Sequence, residues 1–197
     1  MKKNTRDRIV EAADRLFYQQ GVEPTSFADI ADKVSASRGN FYHHFKTKDD
    51  ILKAVIEKRL EETRAKLDQW DASAAHPHDR ICQFIDMLSG NQAAIMDYGC
   101  PVGTLCNELA KLGHGERGHA HEIFLLYQDW LQRQFTALTD AEKAPALALH
   151  LLAWSQGVAS VCNAFRDAGF VRDQVSWTKA WLAGLSHAPQ SQPHRSS

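Results

Sequence analysis

The sequence predicts an all-α protein, with a small N-terminal unit of three helices followed by a larger helical domain. Three observations carry this. Apolar residues recur three and four positions apart through almost every segment, which is the spacing of a buried helix face. No segment shows the strict alternation of a half-buried strand, and stretches containing Gly and Pro separate the periodic segments.

Ile9, Ala12, Ala13, Leu16 and Phe17 lie on one face of a first helix, which Gly21 stops. Thr25 or Ser26 caps a short second helix with Phe27, Ile30, Ala31 and Val34 inward. Ser37 caps a third, ending near His44, in which Phe41 and Phe45 share the core face. Thr47 caps a fourth, with Asp49 and Asp50 in the first turn where the helix end is positive, and it runs to about Trp70. Residues 71–79 read as a loop, and Ile81, Phe84, Ile85 and Leu88 begin another helix. Gly99, Pro101 and Gly103 mark a break over 97–103, before a short helix over 104–111. After HGERGH come a long helix through Ile123, Tyr127, Trp130 and Phe135, another over 143–168, and a last one carrying Trp177 and Trp181. The final ten residues read as a disordered tail, giving divisions at 1–46, 47–187 and 188–197.

Hydrophobic residues at 44% and charged residues at 24% suit a folded chain with a core. No unbroken apolar run reaches membrane-spanning length, and the N-terminus lacks the apolar core of a signal peptide, so the expected location is cytoplasmic. The four cysteines, at 82, 100, 106 and 162, lack zinc spacing and are expected as reduced thiols. No metal or cofactor is expected. The net charge of -1 says nothing about an anionic partner, but residues 1–48 carry nine Lys or Arg against six Asp or Glu.

Two short helices joined by a tight turn after a longer helix make a helix-turn-helix, whose second member enters a DNA major groove. That member is the segment Ser37 to His44. Arg38 and Asn40 near its start suit guanine and adenine edges respectively. Tyr42 and His43 face phosphates or thymine methyls, and Lys46 and Lys48 flank the helix to meet phosphate. Thr25 and Ser26, with the first amides of the second helix, form another phosphate clamp. A metal site at His43 and His44 is disfavoured, because adjacent helical residues point about 100° apart.

These residues carry a resemblance. Residues 5–56 resemble the DNA-binding domain of the TetR family of transcriptional regulators, through Ile9-x-x-Ala12-Ala13-x-x-Leu16-Phe17, Gly21, Thr25-Ser26-x-x-Asp29-Ile30-Ala31, Ser37-x-Gly39-x-Phe41-Tyr42-x-His44-Phe45 and Lys48-x-x-Ile51-Leu52. The resemblance implies a dimer that reads a palindromic operator and represses nearby genes. Mapped by motif, it implies DNA contacts at Thr25, Arg38, Asn40, Tyr42, His43 and Lys48. The family's turn commonly holds Gly where this chain has Ser35, in Ser35-Ala36-Ser37.

The larger domain is expected to supply a dimer surface and a ligand pocket. Leu147, Leu151, Trp154, Val158, Val161, Trp177 and Trp181 on the last two helices suit a four-helix bundle across a two-fold axis. Phe84, Leu88, Tyr98, Leu105, Phe124, Tyr127, Trp130, Trp154 and Phe165 are candidate pocket residues, with Asn107, Glu108, His121 and Gln128 as polar groups. Each of these side chains also has a bland reading as core. Cys106, early in a short helix, and Cys100 beside Pro101 are candidate thiol sensors. The pattern Gly99-Cys100-Pro101-x-Gly103-x-Leu105-x-x-Glu108-Leu109 resembles a TetR subgroup that includes regulators responding to electrophiles and oxidants. The implied function is a ligand- or electrophile-responsive repressor released from DNA by an inducer. The alternatives are a non-inducible or activating regulator. An enzyme is disfavoured, since Glu116, His119, His121 and Glu122 read as a solvated loop leading into a helix.

Overall fold

The computed structural model describes residues 4–34 and 38–186 of the 197, and within the third helix it leaves aside the side chains of Arg38 and Asn40. The turn 35–37, the helix cap expected at Ser37 and the expected tail at 188–197 lie outside the described residues. The described residues form ten helices: α1 Thr5–Gln20, α2 Phe27–Val34, α3 Arg38–His44, α4 Lys48–Ser73, α5 Pro77–Gly90, α6 Gln92–Tyr98, α7 Pro101–Leu112, α8 Arg117–Leu138, α9 Ala144–Phe165 and α10 Ala168–Ser186. The fold is an N-terminal helix-turn-helix domain followed by a larger helical domain.

Local chemistry sets the starts of these helices. The Asn4 side chain accepts the Asp7 amide to open α1. Ser26 Oγ accepts the Asp29 amide at 3.1 Å, while Asp29 Oδ2 accepts the Ser26 amide at 2.8 Å, a reciprocal cap on α2. Thr47 and Asp50 do the same for α4. Those carboxylates serve helix ends, and their hydrogen bonds hold both acids below the usual carboxylate range.

Five boundaries differ from the sequence expectation: the break read at HGERGH ends where α8 starts at Arg117, the helix read over 143–168 stops at Phe165 before α10 opens at Ala168, and three more lie earlier in the chain. The loop read over 71–79 narrows, because α4 runs on to Ser73 and Pro77 already sits at the start of α5. The helix begun at Ile81 ends at Gly90, where the Asn91 amide closes on Met87 O, and α6 follows as a separate piece. No proline marks that corner. The break at 97–103 shrinks to Gly99 and Cys100, since Pro101 opens α7 instead of preceding it. Gly99 turns this corner at φ 78°, a left-handed conformation that glycine adopts without strain.

α8 is the central helix, with Ile123, Trp130, Leu131 and Phe135 fully buried against α4, α5, α7 and α9. α10 packs chiefly on α5, and α1 packs on α2 and α4. By length and composition α9 is the one described helix apolar enough to cross a membrane. Its residues Ala144, Ala148, Leu151, Leu152, Ser155, Val158, Ala159 and Cys162 are instead buried on a single face, the pattern of a core helix.

Candidate functional site

The outer face of the head is built on two anchored phenylalanines. Phe41 and Phe45 are 1% and 4% exposed, so α3 is fixed on the head's core and its other side faces out. Tyr42 is half exposed and stacks on Phe27 at 5.2 Å. His43 is exposed, and Lys46 Nζ reaches back to Tyr42 O at 2.6 Å. Ser26 is exposed at the start of α2. Two expected contacts sit elsewhere. Thr25 is completely buried, its hydroxyl donating to Gly21 O and accepting from Gln20 Nε2. It therefore ties the turn internally and offers no phosphate clamp. Lys48 Nζ donates to Val22 O at 3.0 Å and Glu23 O at 3.2 Å, so it holds the α1–α2 turn from within.

The head is fastened to the larger domain at the same turn. Glu108 on α7 accepts the Val22 amide at 2.9 Å and the Glu23 amide at 2.8 Å. Residues 22–23 thus give their amides to α7 and their carbonyls to α4. Tyr18 OH adds a second tie, lying 2.7 Å from Gly99 O and 3.0 Å from Ala94 O at the α6–α7 corner. A third runs through Arg59 of α4. Its Nε donates to Asp14 Oδ1 at 2.7 Å and its Nη1 to Pro101 O at 2.6 Å, joining α1, α4 and α7. Burial alone would raise the Asp14 carboxyl, but the charges of Arg59 and Lys58 prevail and hold it below the usual range.

Behind these ties lies a cavity of about 300 Å³, within the range of small-molecule sites. Of the expected lining residues, Phe84, Leu88, Phe124 and Tyr127 contribute to its wall. Burial pushes the Tyr127 phenol up to about 12, so it stays protonated. The others do not line it. Trp130 is fully buried and donates to Asp71 Oδ1 at 3.0 Å, so it belongs to the core. Leu105 is core on α7, Tyr98 packs edge-on against Tyr18 at the surface, and Phe165 is 77% exposed. Trp154 is half-buried, and its Nε1 is the one buried side-chain donor without an acceptor among the described residues. Asn107, Glu108, His121 and Gln128 are likewise absent from the wall. The unexpected part of the wall is its near side, formed by Asp14, Arg15 and Tyr18 of α1 and Arg59, Glu62, Thr63 and Lys66 of α4. Arg59 falls in the stripe Leu52, Ile56, Arg59, Thr63, Leu67, a charged residue in a buried register. That misfit is the signal by which sequence alone marks it.

The two candidate thiols separate. α7 begins at Pro101, which puts Cys106 in mid-helix, where its Sγ faces Ala120 O at 3.5 Å. Burial pushes this thiol up to about 11, the reverse of the activation expected at a helix start. Cys100 is the N-cap of α7, accepts the Gly103 amide at 3.4 Å and lines the cavity. Next to it a Cβ on Gly103 would meet Gln156 Oε1 of α9, the end of a flexible side chain that would have to swing aside.

The α9–α10 side has a free face. α9 contains no Asp, Glu, Lys or Arg over its 22 residues. Its outer side shows Leu149, Ala153, Gly157, Val161 and Phe165, with Trp177 exposed on α10. Among the expected dimer residues, Val161 and Trp177 lie there, and Leu147, Trp154 and Trp181 are half-buried. Leu151 and Val158 face inward and belong to the core of the single chain.

A three-helix head with an outward-facing third helix, carried on a connecting helix that also walls a cavity, defines a helix-turn-helix transcriptional regulator. Known proteins narrow the class. The sequence model of bacterial regulatory proteins of the tetR family matches residues 9–55. A helix-turn-helix-type transcriptional regulator of the lacX 3′ region of Lactococcus lactis is 30% identical over 139 residues, 70% of this chain and 71% of its own. TtgR of Pseudomonas putida is 38% identical over 79 residues, 40% of this chain and 35% of TtgR, so that match spans about a third of TtgR. Among solved structures, a TetR transcriptional regulator from Legionella pneumophila has a TM-score of 0.81 at 22% identity, covering 91% of this chain and 98% of that one. The reduced form of Escherichia coli NemR has a TM-score of 0.77 at 18% identity over 92% and 97% of the two chains. At those identities the likeness is one of fold. The chain belongs to the TetR family and is a DNA-binding transcriptional regulator.

Proposed function

We propose that the protein is an inducible repressor that binds a palindromic operator as a homodimer and leaves it when a small molecule fills the cavity. Residues 1–46 act as the DNA-binding unit, and 47–187 as the regulatory and dimerisation unit. It works in the cytoplasm, where chromosomal DNA lies, and no catalytic role is assigned to it. The observation that carries this reading is the cavity wall, where Asp14, Arg15 and Tyr18 of the head's own first helix meet residues of the larger domain. A ligand there touches both parts, so its affinity differs between the head spacings that fit DNA and those that do not. The uncharged outer face of α9 with Trp177 of α10 supports pairing of two chains into a four-helix bundle. An electrophile entering by the same route meets Cys100, not Cys106.

The test is selection of binding sites from a random DNA pool, followed by footprinting and a count of chains per site. The expected outcome is an inverted repeat holding two chains, its halves about one helical turn apart. A single half-site held by one chain contradicts the reading.

A further inference from the structure

The cavity has a chemically uneven wall. Phe84, Leu88, Phe124 and Tyr127 make one side apolar or aromatic. The wall also contains Arg59, whose side chain is only 9% exposed. Nε and Nη1 of Arg59 are committed to Asp14 and the Pro101 carbonyl, and Nη2 has no protein acceptor among the described residues. Asp14 does not belong to Arg59 alone, because its other oxygen holds Lys58 Nζ at 2.8 Å. One carboxylate therefore serves two cations. Arg15 and Lys66 add positive charge to the wall, against Glu62, which is itself drawn to Lys58 at 2.9 Å. Lys58 has Glu62 as a second partner, so the charged groups of the wall, Arg15, Arg59 and Lys66 against Asp14 and Glu62, leave one positive charge in excess, which an anion on Arg59 balances.

We propose that the cavity takes a small amphipathic carboxylate, an aryl- or alkyl-chain acid whose carboxylate meets Arg59 Nη2 and whose chain lies among Phe84, Leu88, Phe124 and Tyr127. This rests on the inducer reading above and names the ligand class for that same site. A cationic amphiphile is disfavoured there, because the wall carries one positive charge in excess and its two carboxylates, Asp14 and Glu62, are already paired with Arg59 and Lys58. The volume admits one ring with a short chain, since about 300 Å³ equals roughly ten liquid water volumes. Arg59 is also the tie between α1, α4 and α7. A bound carboxylate competes with Asp14 for the guanidinium, so charge recognition and loosening of the head are one event. A neutral molecule of the same shape fills the apolar side without that competition.

Calorimetric titration of the full-length protein at neutral pH with 4-phenylbutanoate, 4-phenylbutanamide and 4-phenylbutan-1-amine tests this. The acid is expected to bind about ten- to a hundredfold more tightly than the amide, as hydrogen bonds to charged groups are the stronger kind, with the amine weakest. Arg59→Gln should bring the acid down to the affinity that the amide has for the same variant. Because that variant strips Asp14 of a partner, Asp14→Asn/Arg59→Gln, which removes both charges, is measured beside it and should lose the preference in the same way. Equal or tighter binding of the amide or the amine to the wild-type protein overturns the carboxylate assignment. If either of those two also releases operator DNA, the inducer reading survives alone. If none of the three binds, the ligand reading of the cavity fails together with the carboxylate assignment.

Discussion

Replacing Glu108 with glutamine changes one atom type and should loosen the head from the body. The carboxylate accepts two amides, Val22 at 2.9 Å and Glu23 at 2.8 Å, one on each oxygen. Glutamine keeps one acceptor and presents an NH2 group to the other amide, where donor faces donor. The Glu23 amide lies at the surface and recovers a bond to water, so most of the loss falls on the partly buried Val22 amide or on the strained side-chain compromise between the two. Losing one charge-assisted bond of this kind amounts to about 1–2 kcal/mol. For a chain of this size that lowers the melting temperature by about 2–8 °C. Thermal denaturation followed by circular dichroism measures it, and operator affinity measured on the same preparation shows whether the head has lost its setting. An unchanged melting temperature together with unchanged operator affinity would falsify the idea that Glu108 fastens the α1–α2 turn.

Four other outcomes are expected. Arg38→Ala should weaken the cognate operator by about 1–3 kcal/mol and relax specificity, and equal losses on cognate and random DNA would remove it as a base reader. Lys46→Ala should weaken all sequences alike with a shallower salt dependence, whereas Lys48→Ala should also lower the melting temperature because it grips Val22 and Glu23. Phe165→Asp puts a charge on the exposed apolar face, and sedimentation should find a monomer of unchanged helicity; a persisting dimer rules that face out. Asp14→Asn should cost stability at neutral pH. Because the Asp14 pKa is lowered on folding, its contribution is full above the ordinary value of 3.8 and fades as pH falls through the lower folded value. The gap in unfolding free energy between wild type and variant should therefore close in acid, and a gap that stays constant through that range contradicts the ion-pair account.

The sequence showed most of the fold because its helices are amphipathic and its main stops are chemical, with Gly21 ending α1 and Thr47 with Asp50 opening α4. The Asn91 corner was hidden because Ser89, Gly90 and Asn91 sit within an otherwise continuous helical pattern, and tertiary packing decides where it bends. The site was less legible. Phe84, Leu88, Phe124 and Tyr127 were found as aromatic and aliphatic side chains on the right helices, but Trp130 has the same composition and is core, because periodicity gives a face and not the neighbour that fills it. Thr25 and Lys48 match the DNA-contact motif in sequence and yet make intramolecular bonds around the α1–α2 turn. Asp14 and Arg59 lie 45 positions apart, so nothing local announces their pairing. The buried register of Arg59 was the only hint.

Reciprocal linkage between the cavity and the operator separates a cavity that controls the head from one that does not. Operator affinity is measured by fluorescence anisotropy with and without a saturating amount of whichever phenylbutyl probe binds best, and that probe's affinity is measured with and without saturating operator. If the cavity controls the head, each ligand lowers the affinity of the other, and by the same factor. A probe that binds in the cavity and leaves operator affinity unchanged contradicts the account.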